Sequence, residues 1–327
     1  EVGHLIALAY PERIAHATDH TGNFKMSNGN TIFIDPCDSM AANEWLAIAS
    51  LNLASTSSSN SGQGRKGRVF LSAPVNWKNL PAQTCENISW DSKALAVKMQ
   101  QETRIGALII DSKPIQNASR ETVSNIICEA ARKDGLSMFD WNESVHRLQQ
   151  RVAQVAEWHP ELEIPDLSTE HLLTTARAWL PFYLEEGGKM KTSVTELKKL
   201  NLCEILWNIL PYDLQQEIDH LAPTHIRVPS GSNIRIDYRL GAEAPVLSVR
   251  LQECFGMTST PTVDAGRQPL LLELLSPGFK PVQLTQDLAS FWQGTYFEVR
   301  KELKRRYPKH FWPENPLESQ AVRGVKR

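Results

Sequence analysis

Cations dominate the residues that could do chemistry. Between Leu288 and Arg327 nine Lys/Arg stand against four acids, a local net of +5 on a chain whose formal charge is −2, which leaves −7 on the remainder. Arg300, Lys301, Lys304, Arg305, Arg306 and Lys309 lie close together, several within two turns of one expected helix. Such groups neutralise phosphates and release condensed counterions. Just beyond them stand Tyr307, His310, Phe311 and Trp312, whose rings could stack on bases. The same residues also fit a plainer part: a solvated helix and tail, with Trp292, Tyr296, Tyr307 and Trp312 anchoring them to the body. A second set, Arg227, Arg235 and Arg239, lies opposite the isoleucine face of an alternating segment. There it suits a strand of nucleic acid, or cross-strand pairs with acids. A third set, Arg65, Lys66 and Arg68, ends a Ser/Gly-rich stretch between two expected strands.

Catalytic chemistry finds no comparable support. A phosphate-cradling loop for nucleotide hydrolysis needs Gly-Lys-Ser/Thr, and magnesium needs an acidic box. The nearest stretch, Gly62-Gln63-Gly64-Arg65-Lys66-Gly67, lacks Gly before Lys and a hydroxyl after it, and no Asp-Glu-x-His occurs. His16 and His20 share i, i+4 spacing, but no acid or Cys completes a metal set. Ser230-Gly231-Ser232 reads as a turn and not as a nucleophile elbow. His310 with Asp287 or Glu314 could form an acid/base pair, but nothing specific supports it. The five cysteines, Cys37, Cys85, Cys128, Cys203 and Cys254, are scattered and odd in number. That argues against a disulfide scaffold or a zinc site and suits a reducing cytoplasm. No apolar run reaches the roughly 18 residues that span a bilayer, and no signal peptide is visible.

The elements that must hold these groups change period along the chain. Residues 24–34 alternate about an Asn28-Gly29 hairpin turn. Trp45 to Leu53 and Val69 to Val75 read as strands, and a long alternation runs from Leu95 to Ile109. From Ser119 the apolar spacing is helical, through Val123, Ile126, Ile127, Ala130 and Ala131. Gly135 is expected to stop that helix, Asp140 and Glu143 have capping-box spacing for the next, and Ser168 can cap a third. Alternation returns at Ile226, strands follow at 246–251, 270–275 and 282–285, and a last helix is expected from Leu288 to Arg306. The expectation is an α+β chain in four parts. These are the end of a preceding helical domain (1–16), an OB-like small β-barrel (17–116), a helical segment (117–222), and a β-rich unit with a C-terminal basic helix and tail (223–327). The chain opens within what reads as an element, Leu5 to Tyr10, so it is expected to be part of something longer.

Particular stretches resemble a known family. Ala244-Pro245-Val246-Leu247-Ser248-Val249-Arg250-Leu251-Gln252-Glu253, Pro269 to Pro277, and the end from Phe291-Trp292-Gln293-Gly294-Thr295-Tyr296 through Arg306-Tyr307-Pro308-Lys309-His310 to Trp312-Pro313-Glu314-Asn315-Pro316 resemble the C-terminal region of bacterial HrpB-type DEAH-box RNA helicases. Ala7 to Ala15 resembles the handover from the helical domain behind the motor. The resemblance implies an ATP-dependent RNA helicase whose motor domains, with ATP and magnesium, lie outside this chain. It assigns no catalytic residue here, so the chain is expected to bind no cofactor and to be inactive alone. Its expected partners are RNA or single-stranded nucleic acid and upstream motor domains in the same polypeptide. A protein-docking platform without nucleic-acid contact is the alternative, and a cryptic enzyme is the reading with least support.

Overall fold

A computed structural model describes residues 2–19, 21–52, 67–115, 118–239 and 241–325. The chain forms two compact units, Glu1–Ile127 and Cys128–Arg327.

The first unit is built on a barrel. Helix α1 (Val2–Ala9) precedes β1 (Ile14–Ala17), β2 (Asn23–Met26), β3 (Thr31–Phe33), β4 (Trp45–Asn52) and β5 (Gly67–Pro74). These strands close in the order β1-β2-β3-β5-β4, with β4 returning antiparallel to β1 and β3 running parallel to β5. The β2–β3 turn is the expected one, with Gly29 at φ +91° and its N–H donating to the Met26 carbonyl at 2.8 Å. Alternate residues fill the interior: Ala15, Phe24, Met26, Ile32, Leu46 and Ile48 are wholly buried. Burying a side chain of Phe or Ile size contributes about 1.5–3 kcal/mol. The other face of β1 and β4 is also covered, because Ile14, Trp45 and Ala47 pack with Ala7, Leu80, Ile105 and Leu108.

The barrel is smaller than the sequence suggests. The strands β6 (Gln83–Asp91), β7 (Ala96–Ile105) and β8 (Leu108–Pro114) form their own antiparallel sheet, β6-β7-β8. The expected span of 17–116 is therefore too long at its end and starts too late, since β1 begins at Ile14. The β1–β4 pairing leaves no open edge for the long alternation to join. A period of two announces a two-faced sheet without saying which sheet.

The second unit holds most of the helices. Here α2 (Arg120–Met138), in which the division between units falls, runs on through Gly135. A Cβ there would lie 2.2 Å from Leu173 Cδ2, so this glycine serves close helix packing and is not a stop. Next comes α3 (Glu143–Trp158), capped by Asn142, whose Oδ1 accepts from the N–H of Ser144 and of Val145, and not by Asp140. The short α4 (Thr169–Thr174) is capped by Ser168 as expected. It leads to α5 (Ala176–Trp179), the hairpin β9 (Glu185–Glu186) and β10 (Lys189–Met190), then α6 (Val194–Leu197), α7 (Leu202–Ile209) and α8 (Tyr212–Leu221). A hairpin, β11 (His225–Arg227) and β12 (Asn233–Arg235), precedes β13 (Val246–Arg250). A second small pair, β14 (Thr262–Val263) and β15 (Gln268–Pro269), comes before β16 (Leu271–Leu275), which runs parallel to β13 and antiparallel to β17 (Pro281–Thr285). The expected single terminal helix is two: α9 (Leu288–Gln293) and α10 (Tyr296–Arg306), broken at Gly294, where φ −122° and ψ −88° leave the helical region.

Candidate nucleic-acid interface

The geometry of α10 divides its residues by the helical period. Tyr296 and Leu303 face inward and are buried. Tyr296 packs against Phe255, Phe291 and Trp292, and its hydroxyl donates to the Pro313 carbonyl at 2.8 Å. Arg300 is also engaged internally. Its Nε donates to the Trp312 carbonyl at 3.0 Å and its Nη2 to Glu314 Oε1 at 3.3 Å, tying the helix to the tail. On the opposite side Lys301, Lys304, Arg305 and Arg306 are exposed, as is Lys309 just beyond. Among the described residues none of these five has a carboxylate within 4.0 Å. Lys304, Arg305 and Arg306 occupy the last turn, where cations also complement the helix dipole by about 0.3–1 kcal/mol each.

The aromatic residues beyond the helix do not lie open. Trp312 is 6% exposed and its Nε1–H donates to the Tyr307 carbonyl at 3.0 Å. It therefore has no free face for a base, which corrects the stacking expectation: the ring is an anchor, since burying its apolar body contributes more than solvating it. His310 is half-buried, with Nδ1 2.9 Å from Gln252 Oε1, and buried Gln252 donates in turn to the Phe311 carbonyl at 3.0 Å. Asp287 caps α9 and Glu314 meets Arg300, so neither forms an acid/base pair with His310.

The hairpin presents a different arrangement. Its register sets His225 opposite Arg235 and Arg227 opposite Asn233, while Ile226 pairs with Ile234. Strand alternation puts His225, Arg227, Asn233 and Arg235 on one face, all exposed, and turns the isoleucines to the other, where they are half-buried. Arg227 and Arg235 have no carboxylate within 4.0 Å among the described residues. Arg239 differs: its Nε donates to Asp237 Oδ2 at 2.8 Å. The turn is held from behind by Ser230, whose hydroxyl donates to Glu253 Oε2 at 2.7 Å. Burial would raise the Glu253 pKa, but hydrogen bonds from Ser232, Ser230 and Arg250 outweigh it and hold this carboxyl below its usual range.

Within the barrel unit, Arg68 is exposed on β5 with its guanidinium 6.0 Å from the ring centre of Phe70, itself 63% exposed. Arg65 and Lys66 lie outside the described residues, as does His20. His16 stacks on Trp45 at 4.3 Å and meets Glu44 Oε1 at 3.4 Å. Among the described residues no group of three His, Cys, Asp or Glu is placed to hold a metal, and no helix is long and apolar enough to cross a membrane.

Three residues join the hairpin set that sequence reasoning passed over. His225 follows from the strand register. Arg323 reaches back from the tail, its Nε donating to the Ser230 carbonyl at 3.3 Å. Arg147 lines a cavity together with Arg235. The last two are distant in sequence, and only the fold brings them near.

Comparison with known proteins places these groups in context. The family described as ATP-dependent helicase C-terminal (HrpB_C) matches residues 179–316, which include α10 and the hairpin. The curated Escherichia coli (strain K12) ATP-dependent RNA helicase HrpB is 33% identical over 329 residues, covering 99% of this chain and 39% of that protein. The chain thus spans about two fifths of the relative's length. A crystal structure of E. coli DExH-box NTPase HrpB superposes with a TM-score of 0.60 at 33% identity, over 98% of this chain and 39% of that one. A second, of the E. coli DEAH/RHA helicase HrpB, gives 0.53 at 32% identity over 95% and 38%.

Proposed function

Because the chain is of the HrpB C-terminal type, we propose that it is an accessory surface of an ATP-dependent RNA helicase and binds RNA or single-stranded nucleic acid. The observation that carries this reading is the outer face of α10. Four exposed cations there, and Lys309 just beyond, meet no carboxylate among the described residues, whereas Arg300 one position away is bonded to the tail. Cations left without internal partners on one side of a helix are available to phosphates. The hairpin arginines Arg227 and Arg235 and the barrel's Arg68 extend the same chemistry. An OB-fold reading of the five-stranded barrel adds support, since such barrels bind single strands through their loops.

ATP and magnesium belong to motor domains upstream in the same polypeptide, and the parent protein works in the cytoplasm. Free cysteines suit that compartment. The test is a titration of the chain with single- and double-stranded RNA and DNA at two salt concentrations, beside a variant with Lys301, Lys304 and Arg305 changed to Glu. Binding that weakens steeply with salt in the wild type and is lost in the variant supports the reading. Equal affinity in the two proteins removes α10 from it, and nucleotide turnover by the pure chain contradicts it.

One observation favours protein docking as a second activity. Val2, Leu5 and Leu8 of α1 are 65%, 68% and 56% exposed and follow one another at three-residue spacing, an apolar stripe suited to those upstream domains.

A further inference from the structure

We propose that the cavity between the start of α3 and the β11–β12 hairpin is a phosphate-binding site. It deepens the nucleic-acid reading, and rests on it for the source of the phosphate. The cavity measures about 250 Å³. That is several times the roughly 30 Å³ share of a water molecule, room for a phosphate group and its ester substituent. Arg147, Arg151 and Arg235 line it with His225, and Asp237 is the one acid on its wall. Asp237 is already held by Arg239 at 2.8 Å, which leaves the wall cationic.

The three guanidinium groups differ in a way that makes a site. Arg151 is 6% exposed and fixed: its Nε donates to the Ala222 carbonyl at 2.6 Å, and its Nη2 to the Ile218 carbonyl at 3.4 Å and to Asp219. Its plane lies near the Trp207 ring, 5.4 Å from the centroid. Those hydrogen bonds run through Nε and Nη2. Arg147 is paired with Glu143, but both side chains are substantially open to solvent, so this pair is weak and exchangeable. Arg235 is exposed and meets no carboxylate among the described residues. Ser144 and Thr224 also line the cavity, with Thr224 Oγ1 3.1 Å from His225 Nδ1.

This chemistry selects phosphate over carboxylate. One guanidinium fork satisfies both oxygens of a planar carboxylate, whereas a tetrahedral phosphate presents oxygens in several directions and suits donors from separate elements. The source is a backbone phosphate of RNA or a free phosphate such as that of a mononucleotide.

The test uses the whole chain as wild type, Arg235→Gln, Arg147→Gln, the double variant, Arg147→Lys, and Lys113→Gln as a control outside the cavity lining. Thermal melting confirms that each is folded. Calorimetry with inorganic phosphate should show binding by the wild type and the control, a loss of about tenfold or more in the double variant, and partial retention in Arg147→Lys. The same proteins are titrated with a single-stranded RNA. Weaker RNA binding by the double variant, with a shallower dependence on log salt by about 0.7 per contact removed, assigns the site to the backbone. Unchanged RNA affinity beside lost phosphate binding assigns it to a free phosphate. Absence of phosphate binding in the wild type, or equal binding by the double variant, overturns the site, and salt-dependent RNA binding through α10 would then survive independently.

Discussion

The terminal helix and the 225–235 hairpin both carry arginines, yet they distribute them by different rules. On α10 a period of 3.6 sends Arg300 inward to the tail and leaves Lys301, Lys304 and Arg305 outside. On the hairpin a period of two separates Ile226 and Ile234 from Arg227 and Arg235. An arginine's availability is therefore set by its phase within the element and not by local charge density. The helix offers a flat cationic face with its aromatic side fixed in the core, whereas the hairpin, with α3, offers a concavity.

The sharpest way to separate anchoring from binding is to remove an anchor. Tyr296 is wholly buried and its hydroxyl is bonded to Pro313. Tyr296→Ala should cost about 3–5 kcal/mol, by analogy with other large-to-small aromatic truncations, read as a lower midpoint in urea unfolding. A loss below about 1 kcal/mol would mean that the aromatic cluster does not hold the terminal helix.

Charge reversal of Lys301, Lys304 and Arg305 probes the other side. RNA affinity should fall by at least tenfold, and the salt slope by about 2 if three phosphate contacts go. Stability should change by no more than about 1 kcal/mol per exposed position, the larger share at Lys304 and Arg305 in the last turn of the helix. A large fall in stability would show that these cations are structural. Within the same helix, Arg300→Ala against Arg305→Ala tests the rule of phase directly. The first should lose about 1 kcal/mol of stability, from the lost bond to the Trp312 carbonyl, and keep the salt slope. The second should do the reverse.

Much of this fold was legible in the sequence. Alternation marked the strands of both β regions, Asn28-Gly29 marked its turn, Ser168 its cap, and the run from Phe291 to Pro316 the family. What was lost concerns partners distant in the chain. Closure of the barrel at β5 depends on the β1–β4 pairing, which no local pattern states. Gly135 looked like a terminator because Leu173, the neighbour that requires it, lies in another helix. Asp140 and Asn142 are both capping types, and Asn142 wins because it directly precedes the first turn. For the candidate site, the cations were visible, but not which were engaged. Trp312 looked available for stacking because its acceptor, the Tyr307 carbonyl, is a backbone atom that any sequence supplies.

The smallest expected effect concerns a titrating link in the same unit as the hairpin and α10. His159 is 6% exposed and ends α3, with Nδ1 2.7 Å from Glu161 Oε1 and Nε2 2.7 Å from Asp264 Oδ1. Both nitrogens can donate at once only when the imidazole is protonated. The hydrogen bond to Asp264, then that to Glu161, raises the His159 pKa above its ordinary 6.5, against the opposing effect of burial. Arg267 Nη2, 3.3 Å from Nε2, is the one cation facing the ring among these contacts. A raised folded-state pKa means that the link's contribution is complete below pH 6.5 and fades as pH rises through the folded value. The stability difference between wild type and His159→Gln should therefore be widest in mildly acidic buffer and narrow toward alkaline pH, measured by urea unfolding at several pH values. A gap that stays constant across that range would show that the pair holds α3 to the Asp264 turn without titrating. The contrast between fixed anchors and available cations would then extend to this histidine as well.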